Sequence, residues 1–592
     1  MSALSDAREQ IAENPRQQEA FEAPGHCMVV APPGSGKTKL LTTRLAQDFV
    51  DEIHPPHGAA CITYGTAAAA ELAARLRSLG VKRRANLFVG TVHGFALNAI
   101  IRPYAPLVGQ GDVLEARVAD KDARERVMNE AIGAVYGEYE NTFAVDTTVE
   151  RRRRHIEFTD DESMFGGERI AEVARRYEEG LAAEGLIDFD DMVRIAVELV
   201  RDHEFVRKAL TARLPVLYID EYQDLGPGLH YLVNSLCFDE RASSTLFAVA
   251  DPEQCIYVFS GAAPELVEEV AERPDVTDVS LEVNYRCSAE IIRQSMTALE
   301  QPIKVEGLRE GGTVAVHKVE GWVEGQAREA LPLIKEAIAQ NTPLENIAVI
   351  CITNNECQEA AEILREDGIA VFVKTSDQYA TTPATQFLEG AAEWVSVPRG
   401  EAGFSLADLL ASWRGLLANK WERASAIELV SYLLSIEDGA VTLARDFVER
   451  IAAMRLTESL SDRIEGQESA ESIEVMLKNL ASGESLDGLT ISELGDRAQA
   501  KNRVHVITMH GSKGLEFDHV YMLGLEYNRL PWWSATDWEI IQARRQFYVA
   551  LTRARHSVHM YYTGWTTDKY QRRHNDGPSR FVRKLLPAGD ST

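Results

Sequence analysis

The sequence predicts an α/β protein with two parallel-sheet cores in tandem, each interrupted by a helical insertion. Three observations carry this. The first hundred residues alternate short apolar runs with helix-patterned stretches, the rhythm of strands joined by covering helices. That rhythm stops between 103 and 210, where the chain is charged and helix-patterned, and "LPVLYIDEYQD" then restores a buried strand. A second alternating region begins at "TVAVHKV", is interrupted over 386–497 and resumes at "RVHVITMHGSKGLEF". The expected first core is therefore 1–102 plus 211–280, with 103–210 as its insert. The expected second core is 281–385 plus 498–592, with 386–497 as a shorter insert.

In chain order, "HCMVV" at 26–30 reads as a buried strand and "KTKLLTTRLAQDFV" as an amphipathic helix, with "APPGSGKT" at 31–38 joining them. This is the strand–loop–helix setting of a Gly-rich phosphate loop. The first Gly of the GxxxxGK[ST] pattern is Ala31, and Pro32 and Pro33 have no N–H to offer an anion. The amides from Gly34 through Ser35 and Gly36 to Thr38, the helix N-terminus and the Lys37 ammonium remain available. Lys37 is expected to face solvent and ligand. Next come "AACITY" (strand), "GTAAAAELAARLRSL" (helix) and "NLFVGT" (strand). "VLYIDEYQD" ends an apolar run in Asp220 and Glu221. A phosphate loop needs such acids: Asp220 with Thr38 can hold Mg²⁺, and Glu221 can deprotonate the water attacking a γ-phosphate. In the second region "NIAVICIT" and "IAVFVKT" read as strands, and "EGQESAES" and "ASGESLDG" as loops.

Composition narrows the class. A chain of 592 residues with 45% hydrophobic content is long enough for several cores. No basic head with an apolar stretch opens it and no run is long enough to span a bilayer, so a cytoplasmic protein without membrane attachment is expected. The seven cysteines have no CxxC spacing and read as reduced core residues, with no structural metal. A net charge of −29 argues against broad adhesion to nucleic acid. Any such site is local. "VKRR" at 81–84 and "ERRRRHIEF" at 150–158 are candidates, with solvated helix faces as the competing account of each.

With these residues in view, the chain resembles a superfamily 1 DNA helicase of the UvrD/Rep/PcrA type, and short motifs recur in family order from residue 14 to residue 583. "NPRQQEAF" is similar to the Q motif, "TYGTAAAAEL" to motif Ia and "GTVHGFA" to motif Ib. "GLIDFDDM" resembles the acidic segment ahead of motif II, and "IDEYQD" motif II itself. "ADPEQCIYVFSGA", "LEVNYRCS", "VITMHGSKGLEF" and "RRQFYVALTRAR" resemble motifs III to VI, and "PSRFVRKL" the closing segment. The resemblance implies RecA-like cores, ATP and Mg²⁺ as cofactors, and 3′→5′ movement on single-stranded DNA, its junctions or ends. It implies that Gln17 reads adenine, that Tyr285 stacks on it, and that Gln254 senses the γ-phosphate. Arg286 and Arg553 would act as arginine fingers, Gly514 and Glu516 would link the second core to nucleotide, and Tyr64, Phe259 and His93 would grip DNA.

Several positions depart from the family pattern. Gly65-Thr66-Ala67 replaces Thr-Asn-Lys, Phe259-Ser260 replaces Trp-Arg, Ile352 stands where an Arg is usual, and Ala543 where an acid is. Hydrolysis groups are kept while groups for DNA grip and coupling change. Three functions follow: a repair or replication-fork helicase, a motor subunit beside a nuclease partner as in Gabija-type antiphage defence, and a nucleotide- or DNA-sensing ATPase with little unwinding.

Overall fold

The computed structural model describes residues 3–82, 84, 86–137, 142–155, 167–240, 243–256, 262–301, 305–373, 378–397, 403–463, 466–498, 502–532, 534–567, 572–574 and 577–586. The chain divides into two units, the first essentially 1–281 and the second essentially 282–592.

The first unit is built on strands β1 (His26–Val30), β2 (Ala59–Thr63), β3 (Leu87–Thr91), β4 (Val216–Ile219), β5 (Thr245–Ala250) and β6 (Val276–Ser280). All pair in parallel, in the order β3-β2-β4-β5-β1-β6. Helices cover both faces, which is why β2 is buried at every position and reads as an unbroken apolar run. The order matters for chemistry. β5 lies between β1 and β4, so the loops leaving the C-terminal ends of these three strands share one rim, where open α/β sheets bind ligands. Between β3 and β4 the chain inserts helices Lys121–Tyr136, Thr142–His155 and Gly167–Ala183, which enclose their own core of Val127, Ile132, Val149, Val173, Tyr177 and Leu181.

The second unit repeats the plan with β7 (Thr313–Lys318), β8 (Ile347–Cys351), β9 (Val371–Val373), β10 (Val504–Thr508), β11 (Phe517–Met522) and β12 (Ala554–Tyr562). They are again parallel, in the order β7-β12-β11-β8-β10-β9. Two tandem RecA-like cores are thus present. The stretch from Pro383–Ser396 to Ile491–Gly495 is a helical bundle whose core includes Phe387 stacked on Trp413, with Leu429, Phe447 and Met476.

One segment corrects the sequence reading. "EGQESAES" is largely helix, within Gln467–Asn479, rather than loop. Its small polar residues hid an apolar face: Ser469, Ala470, Ser472, Ile473 and Met476 are all buried at helical spacing. All seven cysteines are buried and unbridged. Among the described residues no helix is long and apolar enough to cross a membrane.

Candidate functional site

In the first unit the loop after β1 turns through left-handed backbone at Gly36 (φ +86°), and helix Lys37–Asp51 starts at once. A Cβ at Gly36 would lie 3.0 Å from Gln17 Nε2, so Gln17 rests against the loop. The Asn14 side chain holds Gln17 there, capping helix Pro15–Glu22 by accepting from Arg16 N and Gln17 N.

Lys37 is only 8% exposed, which corrects the expectation that it faces solvent. Its Nζ lies 3.2 Å from Glu221 Oε2 but has no acceptor in hydrogen-bond geometry. The backbone amides of the helix start and this cation form an anion cradle. Thr38 Oγ1 donates weakly to Asp220 Oδ2 at 3.3 Å. Asp220 itself is fixed by its N–H, which donates to Ile62 O at 2.9 Å. Glu221 sits in left-handed backbone at φ +57°, an unusual conformation for a non-glycine residue and one that concentrates at functional sites. Burial, with Glu221 beside it, pushes the Asp220 carboxyl up to about 7, against the pull of Lys37 and Thr38.

The end of β5 completes the rim. Asp251 N donates to Gln223 Oε1 at 2.9 Å, and Gln254 Nε2 donates to Asp251 Oδ2 at 2.6 Å. Burial raises the Asp251 pKa, while the Lys37 charge opposes it. Asp251 and Gln223 were not singled out from sequence, because each is one polar residue beside a stronger motif. A buried cation without an acceptor and a hydroxyl beside a buried acid suit a phosphate with a divalent ion.

In the second unit, strand Val283–Ser288 carries Tyr285 and Arg286. The loop segment Pro33–Ser35 groups with this unit: Tyr285 N donates to Gly34 O at 2.9 Å. Gly34 has φ +72°, and a Cβ there would meet Arg286 Cβ at 2.5 Å, so glycine is required on both counts. Tyr285 is exposed. Arg286 pairs through Nη2 with Glu516, while its Nε and Nη1 are buried without partners. Glu516 is shared with Arg555 at 3.1 Å, just after Gly514 in left-handed backbone. Arg553 is 1% exposed and donates to Val549 O (2.9 Å) and Leu515 O (3.3 Å).

Comparison with known proteins decides the family. Residues 13–275 match the UvrD/REP helicase N-terminal domain and residues 425–564 the UvrD-like helicase C-terminal domain, together more than two thirds of the chain. The chain belongs to the UvrD/Rep helicase family. Its relatives include the ATP-dependent DNA helicase Rep of Escherichia coli, 25% identical over 97% of this chain and 94% of that protein. ATP-dependent DNA helicase UvrD2 of Mycobacterium tuberculosis is 26% identical over 97% of this chain and 81% of its own length. ATP-dependent DNA helicase PcrA of Staphylococcus epidermidis is 23% identical over 97% and 86%.

For this UvrD/Rep family member, two predicted DNA contacts, Tyr64 and His93, line one cavity of about 490 Å³ in the first unit. Phe259 and Ser260 lie outside the described residues. Phe189, from the acidic segment, joins the cavity with its ring centroid 5.1 Å from that of His93. Burial lowers the His93 pKa, against Asp190 and Asp188, so the ring is neutral near pH 7. Sequence reasoning noted the segment but missed Phe189, whose only signal was its place between the Asp188 cap and two more acids.

Of the basic run 150–158, residues 156–158 lie outside the described residues, and Arg153 and Arg154 are held in ion pairs. Arg153 is paired with Asp188, Asp191 and Glu178, and Arg154 with Asp190 and Glu150. The departures have local reasons too. Ala543 is buried in the second core, where an acid would be desolvated. Ile352 is half-buried against the same core.

Proposed function

We propose that this UvrD/Rep family chain is an ATP-driven motor that moves 3′→5′ along single-stranded DNA and separates strands in DNA processing. The observation that carries it is the cluster of Lys37, Thr38, Asp220 and Glu221 on one rim of the first sheet. Lys37 and the amides from Gly34 to Thr38 hold the phosphates. Thr38 and Asp220 would hold Mg²⁺, which when bound neutralises charge on the β- and γ-phosphate oxygens. Glu221 takes a proton from the water whose oxygen bonds to the γ-phosphorus as the bond to the β-phosphate oxygen breaks. Gln254 senses the γ-phosphate through its tie to Asp251. Gln17 and Tyr285 hold adenine, Gly514 and Glu516 answer to nucleotide from the second core, and Arg286 and Arg553 place guanidinium charge on the transferring group. Tyr64, His93 and Phe259 grip bases and backbone without sequence preference.

The test is ATP hydrolysis with and without oligo(dT), together with displacement of a labelled strand from 3′-tailed and 5′-tailed duplexes. DNA-stimulated hydrolysis with displacement from the 3′ tail alone is expected. Hydrolysis indifferent to DNA, or displacement from the 5′ tail alone, overturns the proposal.

A second function, ATPase action with little unwinding unless a partner such as a nuclease supplies DNA grip, is favoured by the internal pairing of Arg153 and Arg154. It predicts DNA-stimulated hydrolysis without displacement by the chain alone.

A further inference from the structure

Arg153 and Arg154 are neighbours on helix Thr142–His155 and both line the cavity with Tyr64 and His93, yet they are held differently. The Arg153 side chain is 3% exposed and its fork is closed by Asp188 (2.6 Å and 3.0 Å), Asp191 (3.0 Å) and Glu178 (3.1 Å), with the Tyr177 ring beneath it. Drawing it away would leave the buried Asp188 carboxylate without its cation, so it is a fixed part of the wall. Arg154 is 25% exposed, and its two ion pairs, each 3.2 Å, are partly solvated, with Asp190 21% and Glu150 44% exposed. Such pairs are weak and exchangeable.

The cavity is suited to a nucleotide unit: its volume of about 490 Å³ falls in the range of ligand pockets, and Tyr64, His93 and Phe189 supply flat rings. Its charge is not. Glu125, Asp146, Glu150, Asp188, Asp190 and Asp224 outnumber Arg124, Arg153 and Arg154 along its lining. A strand phosphate entering there can meet Arg124, which donates weakly to Asp120 O at 3.4 Å, and Arg154, the lining arginine whose carboxylate partners can release it.

We propose that Arg154 is a DNA-phosphate ligand and that Asp190 and Glu150 compete with the phosphate for its guanidinium. This rests on the proposal that the cavity receives single-stranded DNA. The carboxylates keep the cation off DNA until a backbone is seated, and they hold grip below what the arginine run implies.

The experiment is anisotropy of labelled oligo(dT) with the full chain across a salt series, with binding of a fluorescent ATP analogue as a control on the other site. Asp190→Asn, close in shape and without the charge, should raise affinity about two- to fivefold, the worth of an exposed ion pair. It should also steepen the log–log salt dependence by about 0.7, one more single-strand phosphate neutralised. Glu150→Gln should act in the same direction. Arg154→Gln should weaken binding and make the slope shallower by about 0.7, and Arg154→Lys should restore most of the slope. In the double variant Asp190→Asn/Arg154→Gln the gain must vanish, because the two changes act on one contact. If Asp190→Asn and Glu150→Gln lower the melting temperature but leave affinity and slope unchanged, the pairs are structural and the inference falls. If wild-type protein binds the ATP analogue but no oligo(dT) at any salt, the cavity proposal itself falls with it.

Discussion

Lys37 Nζ lies 3.2 Å from Glu221 Oε2, so the ammonium that would meet a phosphate is balanced by the carboxylate that would serve as base. Nucleotide binding must draw the cation away from its partner. Glu221→Gln therefore should bind ATP with Mg²⁺ at least as tightly as wild type, since Lys37 is released, while hydrolysis falls by about 10²–10⁴, the usual worth of a general base. Fluorescent-nucleotide binding and single-turnover hydrolysis measure the two. Loss of binding would mean that Glu221, not Asp220, holds the metal. Lys37→Ala should abolish hydrolysis, and because Lys37 is buried among the carboxylates of Glu221, Asp220 and Asp251 it should also change the melting temperature. Unchanged turnover would sink the phosphate-loop assignment.

Arg153 offers a stability prediction of a different size. Replacing it with alanine leaves Asp188 buried without its cation, while Asp191 keeps Arg194 at 3.1 Å; this costs about 3–5 kcal/mol, against at most about 1 kcal/mol for Arg154→Ala. All eight tryptophans lie at or beyond Trp322, in the second unit. Circular dichroism should therefore show an early transition in Arg153→Ala that tryptophan emission does not follow. A variant as stable as wild type would show that the network contributes little.

These two arginines also show what was legible in the sequence. The cores were, because strands buried on both faces are continuous apolar runs and because the phosphate loop and Asp220 need each other at the ends of such strands. The phosphate-side cluster was legible for the same reason: its residues sit within short contiguous motifs. The insert was not. "ERRRRHIEF" looks like a cationic surface, but which arginine is buried and locked and which stays partly solvated depends on Asp188–Asp191, more than thirty positions later in the chain. Lys37 was misjudged likewise: it is buried, and its ion-pair partner Glu221 lies on another strand's loop. Long-range pairing decides such cases, and no local periodicity encodes it.

Acid should loosen the second unit. Burial pushes His505, whose ring lies between Phe372 and Phe517, down to about 4, against Glu345. His559 is also pushed down to about 4, by burial and then by His317 and His519; its Nδ1 is 3.1 Å from His317 Nε2. Each group has its folded pKa below the unfolded value of 6.5, so the unfolded chain binds more protons between those values. Stability from each is complete above about pH 6.5 and is lost as pH falls toward 4, by about 1–3 kcal/mol apiece once partial exposure is allowed for. Tryptophan-detected denaturation from pH 7.5 to 4.5 should show the decline, and His505→Phe should flatten it. An unflattened decline would remove His505 from the account.

The last prediction concerns Ile352, at a position where the family resemblance implies an arginine. Its side chain is half-buried, but the surroundings are not purely apolar. Ile352 N and Thr353 N both donate to Glu356 Oε2 at 3.0 Å, and the other oxygen of Glu356 pairs with Arg529. Arg529 also stands 3.9 Å from Glu526, a fully buried carboxylate. Two acids thus share one cation beside residue 352. The Ile352 side chain packs on the apolar cluster but is only half-buried, so an arginine there can lay its stem on that surface and carry its head to solvent, and Ile352→Arg should fold with a modest drop in melting temperature instead of collapsing the second core. If the family's arginine helps convert hydrolysis into strand movement, the variant should also raise strand displacement per ATP consumed on a 3′-tailed duplex. The ratio of unwinding to ATPase rate is the measurement, with tryptophan-detected melting as the folding control. A folded variant with an unchanged ratio would show that position 352 does not limit coupling. Wild-type protein that alone unwinds long duplexes processively would show that the isoleucine is tolerated and that the chain is a complete helicase as it stands.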